Sequence, residues 1–188
     1  MVATPPLPGV FLCFAAFVLL LFASLSGWSR ISFLDVGSGS TVTHYGAFGP
    51  AGSSPHIGYR FLPAGANSNP NSDVIYNLTK TLILHPIACV LSFLAFIFGA
   101  FGVCCMHRFF VLFMAMLSGL AALITLLAFV LDMVMFGITR GVFRRAGVSA
   151  NYGNANWLTL GALFALLFGF CASALGLFGR YRKRRDAY

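Results

Sequence analysis

Acidic residues are almost missing from this sequence. Its 188 residues contain four Asp and no Glu, and charged residues of either sign make up only 9% of the chain. A soluble domain carries roughly 25% charged residues, so this chain cannot cover a water-exposed surface. Hydrophobic residues instead make up 59% of it. The composition excludes a soluble enzyme, a disordered tail and a nucleic-acid-binding module, and it indicates a polytopic membrane protein.

Motifs for catalysis and for metal binding are also missing. The sequence has no P-loop, no G-x-S-x-G, no H-E-x-x-H and no paired carboxylates. Cys104 and Cys105 lie near His107, but two cysteines and one histidine do not complete a zinc set. We therefore predict no enzyme activity, no catalytic or metal-binding residues and no cofactor. Bound lipid or sterol is the ligand that this composition leaves open.

No cysteine lies in a long polar loop, which excludes a disulfide there. The five cysteines lie within apolar runs or at the end of one, at Cys13, Cys89, Cys104, Cys105 and Cys171. Cys104 and Cys105 end the second apolar run, close to basic residues. This position favours palmitoylation, and ordinary packing as small apolar side chains is the alternative.

Four apolar runs are each long enough to cross a bilayer. A spanning helix needs roughly 20 apolar residues, and the runs cover residues 7–27, 82–103, 109–138 and 157–179. We expect the third and longest run to tilt or to extend past the bilayer. The first run is also compatible with a signal peptide, because small residues follow its apolar core. No positive charge precedes that core, which favours a retained helix.

The basic residues predict the orientation. The tail at 180–188 holds five of the twelve Lys and Arg residues, namely Arg180, Arg182, Lys183, Arg184 and Arg185. We predict that these side chains contact anionic lipid headgroups and that both termini are cytoplasmic. Lys and Arg are equally numerous on the two sides, and their higher density in the short inner segments decides the prediction. Residues 28–81 and 139–156 are then the outer loops of a single membrane domain.

The long outer loop contains three short strand-like stretches. They cover residues 31–36, 41–48 and 57–61, and Gly, Ser and Pro separate them. We predict that they form a small extracellular β-sheet, whereas the turn-rich residues 64–73 predict a mobile segment. Asn77 opens an Asn-x-Thr sequon in the same loop and is a candidate glycosylation site close to the second span.

Two polar side chains stand out in the predicted spans. Asp132 is the only acidic residue in any of them, and a charge inside a membrane is costly. We expect Asp132 to accept hydrogen bonds from the outer loop or to pair with Arg30 or Arg140; a proton or ion pathway and a partner contact are the alternatives. His85 precedes Pro86 at the start of the second span. We expect a hydrogen-bonded structural histidine there, with a pH-sensing group as the alternative.

A stripe of small residues follows one face of the fourth span. Gly161, Ala165, Gly169 and Ser173 recur every four residues, which places them on one side of a helix. Small residues let helix backbones approach closely inside lipid. The stripe predicts tight packing within the bundle, and docking of a partner's transmembrane helix is the alternative.

Motifs along most of the chain resemble the fungal PalI family, which includes PalI-type pH-response regulators and Sur-type eisosome proteins. The similar segments are TPPLPGVFLCFAAFVLLLFASLS near the start, YGAFG at 45–49, IGY at 57–59, LHP at 84–86, and LLAF at 126–129 followed by Asp132 and Phe136. Together they follow the family's order of four spans and one large outer loop.

The resemblance implies a claudin-like fold, an all-α transmembrane four-helix bundle with a small extracellular β-sheet from the first outer loop and a further strand from the second. It implies plasma-membrane residence in a fungus and a non-enzymatic role as an accessory or scaffold protein. The partner would be a larger polytopic membrane protein, either a PalH-like pH sensor or a cell-wall polysaccharide synthase. The alternatives are a self-associating, eisosome-type membrane organiser and a small transporter or channel.

Two features depart from the family's pattern. Gly49 is followed by the segment PAGS at 50–53, where family members usually carry a cysteine pair, so we expect the loop to hold through sheet pairing and packing alone. The chain also ends nine residues after Gly179, whereas PalI itself usually has a long cytoplasmic tail. The shorter tail favours a compact accessory subunit over signalling through a tail.

Overall fold

The computed structural model describes residues 7–26, 31–37, 42–53, 57–61, 73–105 and 108–185, without the side chains of 73–74, 105, 108 and 175–185. In chain order the elements are α1 (Leu7–Ser24), β1 (Leu34–Val36), β2 (Thr43–Gly46), β3 (Gly49–Pro50), α2 (Asp73–Lys80), a 3-10 turn (Thr81–Ile83), α3 (Leu84–Cys105), α4 (Arg108–Arg145), β4 (Ala150–Tyr152) and α5 (Ala155–Arg185).

Four long helices, α1, α3, α4 and α5, form the body of the molecule. Each contains a stretch long and apolar enough to cross a membrane. A backbone in lipid must satisfy its polar groups within its own segment, which is why such apolar runs become helices. Both α1 and α4 pack against α3 and α5. The four helices therefore form a bundle in which α1 and α4 occupy diagonal corners.

A four-stranded antiparallel sheet covers one end of the bundle, in the order β3-β2-β1-β4. We call this end the sheet side. The central strand β1 pairs Leu34 with Tyr45 of β2 on one side and with Tyr152 of β4 on the other. The two loops predicted as outer loops therefore contribute to a single sheet, and the small sheet expected from the sequence is confirmed.

The prediction of a third strand at residues 57–61 is wrong. Residues 57–58 form a bend and residues 59–61 have no regular secondary structure, and the third strand lies earlier, at Gly49–Pro50. The reason is that the hydroxyl of Thr79 engages the backbone of Tyr59. It accepts a hydrogen bond from the N–H of Tyr59 at 3.2 Å, and its single proton is shared between the carbonyls of Tyr76 at 2.8 Å and Tyr59 at 3.2 Å. A backbone so engaged is not free to pair with a strand at this point.

Helix α2 occupies a stretch that the sequence predicted as loop. Ile75 and Thr79, four residues apart, are both buried, as expected for one face of a helix, and α2 packs against α4. Helical backbone continues through the 3-10 turn into α3, so that Ile75–Cys104 form one continuous helical segment. Pro86 lies in the first turn of α3, where its missing N–H costs no hydrogen bond.

Helix α4 ends seven residues later than the predicted third span. Its 38 residues give a length of about 57 Å, well beyond the roughly 30 Å of a bilayer's hydrocarbon core. The additional turns carry Phe143, which is fully buried and packs with Phe136 and Phe61 in the core beneath the sheet. The extension therefore supports the sheet.

A close backbone approach holds β4 beside β1. Gly153 donates its N–H to the carbonyl of Phe33 at 2.9 Å, and Ala155 donates to that of Ser32 at 2.9 Å. A Cβ atom at position 153 would overlap the backbone carbonyl of Ser32. Glycine is needed here because no other residue lets the two chains come this close.

Candidate functional site

A buried pair of polar side chains joins two helices near the sheet side. His85 lies in the first turn of α3, and Asp132 lies in α4. His85 Nε2 is 3.1 Å from Asp132 Oδ2, and the two side chains are 0% and 3% exposed. The distance is that of an ion pair, although Asp132 Oδ2 accepts no well-aligned hydrogen bond among the described groups. The two polar residues singled out from the sequence are therefore direct neighbours.

Further groups orient the imidazole of His85. Its Nδ1 lies 3.3 Å from the carbonyl of Leu82 in the preceding turn, and its Nε2 lies 3.3 Å from Thr159 Oγ1 of α5. A carbonyl oxygen only accepts, which assigns the donor role to Nδ1. Thr159 also donates to Ala155 within its own helix, at 3.1 Å. The imidazole thus connects three of the four long helices.

The ring of Phe33 lies against the pair from the sheet side. It meets the imidazole of His85 edge-on, with 5.1 Å between ring centroids, and stacks on Phe136 at 5.5 Å. The carbonyl of Phe33 accepts hydrogen bonds from Asn156 Nδ2 and from the N–H of Gly153, both at 2.9 Å. Phe33 immediately precedes β1, so the sheet rests directly on the His85–Asp132 pair.

Asp132 does not pair with Arg140, and that sequence-based prediction is wrong. Arg140 Nε donates to the carbonyl of Ala150 at 3.1 Å, and its guanidinium stacks on Tyr152 at 5.0 Å. Arg140 lies eight residues beyond Asp132 in the same helix, which places it about 12 Å further along the axis, at the level of β4. Arg30, the other predicted partner, lies outside the described residues.

The burial of the His85–Asp132 pair limits the chemistry that these two side chains can perform. Both side chains are almost completely buried, so a substrate cannot reach them in this arrangement. A buried pair of this kind fixes the positions of the elements that carry it, because separating the partners would strand a charge in an apolar interior. The arrangement acts as a cross-link between α3, α4 and the sheet.

Tyr59 is a further buried polar residue, in the core beneath the sheet that also holds Phe33 and Phe136. Its hydroxyl donates to the carbonyl of Gly46 in β2 at 3.0 Å. Burial, reinforced by the negative charge of Asp132 and by Tyr45, raises the pKa of Tyr59 far above the ordinary value of a phenol. The hydroxyl therefore stays protonated and keeps donating across the whole physiological pH range.

The face of the sheet directed away from the bundle carries a polar row. Asp35 of β1 lies between His44 of β2 and Asn151 of β4 in the strand register. His44 Nδ1 is 2.6 Å from Asp35 Oδ1, and Ser32 Oγ donates to the same oxygen at 2.5 Å. Sequence reasoning did not single out Asp35. The signal was the alternation Leu-Asp-Val at 34–36, since alternate strand residues face opposite sides.

The small-residue stripe of α5 packs against α1. A Cβ atom at Gly169 would come within 3.4–3.5 Å of Leu12 and Cys13, and one at Gly9 would lie 2.9 Å from Ser173 Oγ. Ser173 itself donates to the carbonyl of Gly169 at 2.7 Å. Ala165 belongs to the same interface, as part of the cluster around Leu20 and Leu166, and Gly161 faces Leu19 more loosely. This face is therefore covered by a helix of the same chain.

The structure describes only some of the remaining predicted sites. Cys104 is a free, exposed thiol near the end of α3, opposite the sheet side, and Asn77 is exposed on α2. The side chains of Cys105 and of the basic tail residues Arg180, Arg182, Lys183, Arg184 and Arg185 lie outside the described part of the structure. Palmitoylation, glycosylation and headgroup contact at these positions stay predictions.

Among the described residues, no group of three or more His, Cys, Asp or Glu could hold a metal ion.

These features define a multi-pass membrane protein. It has four helices able to cross a membrane, a sheet on one end of the bundle and a buried polar cross-link between the bundle and the sheet. The chain belongs to the SUR7/PalI family, whose profile matches residues 6–171. The match covers the sheet and the bundle up to about the middle of α5, and it confirms the family predicted from the sequence. None of the curated protein sequences is significantly similar to this chain.

Proposed function

We propose that this protein is a non-enzymatic accessory or scaffold protein of the plasma membrane. It binds a larger polytopic membrane protein and stabilises or localises that partner. The partner is a pH-sensing receptor or a polysaccharide synthase of the cell wall. In this proposal the termini face the cytoplasm, the sheet faces outward, and the chain is a distant relative of the claudins; the sheet on a four-helix bundle supports that relationship.

The observation that carries this proposal is that buried contacts hold the sheet in a fixed position on the bundle. Phe33 anchors β1 on the buried His85–Asp132 pair and on Phe136. The outward row of His44, Asp35 and Asn151 is thereby held in one geometry. A preorganised surface binds a partner without the entropic cost of ordering a loop. Such a surface supports a docking role better than a transport or catalytic one, because its polar groups face outward while those of the bundle are sealed.

A mild-detergent pull-down from native membranes tests the proposal. We expect the tagged chain to recover one large polytopic protein in a fixed ratio, as identified by mass spectrometry. The variant His44→Ala/Asn151→Ala removes two side chains of the outward row and should reduce this recovery about tenfold, the loss expected for about 1.4 kcal/mol. Arg144→Ala/Arg145→Ala, which changes two exposed residues at the end of α4, is the matched control and should leave recovery unchanged.

The main alternative is a self-associating membrane organiser. It would recover only further copies of the chain, in large assemblies that persist in a native gel of the detergent extract. That outcome contradicts the accessory role. An equal loss of partner recovery in the outward-row variant and in its control would contradict the assignment of the row as the docking surface.

A further inference from the structure

Two basic side chains converge on one aromatic ring at the sheet side. The guanidinium carbon of Arg60 lies 5.5 Å from the centroid of the Tyr76 ring, and Lys80 Nζ lies 4.6 Å from the same centroid. Both cations are exposed, whereas Tyr76 is half-buried. Neither cation forms an ion pair with any of the described carboxylates. We call Arg60, Tyr76 and Lys80 the basic–aromatic cluster.

The cluster is held in place by buried contacts. The hydroxyl of Thr79, next to Lys80, accepts a hydrogen bond from the N–H of Tyr59, next to Arg60, at 3.2 Å, and Thr79 is 1% exposed. This buried hydrogen bond links the two segments that carry the basic residues. Gly58 makes room for the aliphatic stem of Lys80, since a Cβ atom there would lie 3.0 Å from Lys80 Cγ. The cluster is thus preorganised on two separate segments of the chain.

The depth of the cluster indicates its ligand. Lys80 is followed by the 3-10 turn and then by α3, and the first exposed apolar side chains after it are Ile83 at 36% and Ile87 at 45% exposure. One 3-10 turn is about 6 Å long. The polar layer on each side of the hydrocarbon core is roughly 5–8 Å thick. With the hydrocarbon core beginning at Ile83, the cluster lies at the level of the lipid headgroups of the leaflet on the sheet side.

The chemistry of the three side chains matches a phosphate at that level. A guanidinium can bind two phosphate oxygens at once, and an ammonium adds a point charge. Tyrosine is favoured at the membrane–water interface, where its ring and hydroxyl meet different environments. Both cations lie within 5.5 Å of the centre of the same ring, an arrangement that cation–π attraction favours. An anion bound near them would relieve the repulsion between the two like charges.

We propose that the basic–aromatic cluster binds the phosphate of an anionic lipid headgroup in the leaflet on the sheet side. The site is separate from the outward row of the sheet and from the basic tail. It ties the junction between the sheet-side segments and α3 to the bilayer surface, so that lipid composition contributes to the position of α2.

A photo-crosslinking phosphatidic acid analogue tests this site on the purified full chain in phosphatidylcholine nanodiscs. Peptide mapping separates crosslinks at residues 73–80 from crosslinks at the basic tail. We expect wild type to crosslink at 73–80, and a phosphatidylcholine analogue to crosslink there far less. The variant Arg60→Gln/Lys80→Gln should reduce the phosphatidic acid crosslink about tenfold, because each basic residue near an anionic surface contributes appreciably to binding.

The matched control is Arg144→Gln/Arg145→Gln, which removes the same charge from exposed positions on the sheet side and should leave the crosslink unchanged. Tyr76→Leu keeps both cations and removes the ring, and we expect a loss of a few fold. This variant keeps the test decisive if the double charge variant does not fold.

Three outcomes would overturn the proposal. The first is the absence of a crosslink at residues 73–80 in wild type. The second is an equal loss in Arg60→Gln/Lys80→Gln and in the control pair, since the effect would then be one of net charge alone. The third is complete competition by inorganic phosphate at the concentration of the lipid, because the site would then bind a free anion rather than a headgroup.

Discussion

Asp132 and His85 are separated by 46 residues in the chain and by 3.1 Å in the structure. Both could be found from the sequence, because polar residues inside apolar spans are rare and costly. The sequence could not show, however, that these two residues pair with each other. The sequence offers arginines of opposite charge as partners for Asp132, and only the packing of α3 on α4 shows which polar group lies at the same depth.

The variant Asp132→Leu tests the structural importance of the pair. It leaves His85 buried without its acidic partner, and removing one member of a buried pair costs about 3–5 kcal/mol. We expect a strongly lowered melting temperature in detergent and rapid proteolysis of the sheet-side segments. A double variant, Asp132→Leu/His85→Met, leaves no stranded polar group and should recover part of the loss.

Val134→Leu is the control for this pair, since Val134 lies two residues away on the same helix and is exposed on the surface of the bundle. It should melt like wild type. A single variant Asp132→Leu as stable as the control would contradict the role of the pair as a cross-link.

Tyr59 leads to a prediction at alkaline pH. Its raised pKa means that the native state keeps the phenolic proton when the unfolded chain, with an ordinary pKa of about 10, has lost it. Above about pH 10 the unfolded state therefore binds fewer protons than the native state, and stability falls by up to about 1.4 kcal/mol per pH unit. This loss continues until the pH reaches the raised native pKa.

Tyr59→Phe lacks the ionisable group and should lose less stability between neutral and strongly alkaline pH than wild type does, as measured by thermal unfolding in detergent. At neutral pH the variant should be less stable by about 1 kcal/mol, since the hydrogen bond to the Gly46 carbonyl is missing. Parallel pH profiles of the two proteins would show that Tyr59 is not buried as described.

At the scale of elements, hydrophobicity predicted the four long helices. In the long loop, local pattern predicted β1 and β2 but failed at residues 57–61 and at α2. The four apolar runs allow one solution in lipid, so their helical state follows from composition. The stretch at 57–61 has the composition of a strand, but its backbone is engaged by Thr79, twenty residues later. Short segments take their structure from such tertiary contacts, which local propensity does not contain.

The packing of α1 on α5 predicts a graded response to alanine. Gly9→Ala places a Cβ atom 2.9 Å from Ser173 Oγ and should cost about 1–3 kcal/mol, as expected for an overpacked interface. Gly161→Ala places its Cβ 3.6 Å from Leu19, an ordinary contact, and should be neutral or stabilising by up to about 1 kcal/mol, because Ala is the better helix former.

Thermal unfolding of both variants in the same detergent measures this difference, and Gly169→Ala, with its closest contact at 3.4 Å, should fall between them. Equal melting temperatures for Gly9→Ala and Gly161→Ala would contradict the close approach of the two helices near Gly9.

At the scale of the whole molecule, the orientation of the chain can be measured directly. Asn151 is exposed on the sheet, and Cys104 is exposed at the opposite end of the bundle. With the sheet outside, a membrane-impermeant maleimide added to intact cells should label the variant Asn151→Cys. It should reach Cys104 only after the membrane is permeabilised.

Cys104→Ser identifies the signal from Cys104 in this experiment. A thiol that becomes reactive only after hydroxylamine would reveal the predicted thioester with a fatty acid. Labelling of Cys104 in intact cells, together with protection of Asn151→Cys, would reverse the proposed orientation.

The order of strands in the sheet has a consequence for how the protein is made. β1 and β2 follow each other in the chain and can pair early, whereas β4 joins β1 only after α3 and α4 have been synthesised. Until then one edge of β1 keeps its backbone groups unpaired, and such an edge can pair with other chains. Closure of the sheet thus waits for the second loop to arrive on the sheet side. A chain stalled before residue 150 would display an open edge that chaperones and proteases can recognise.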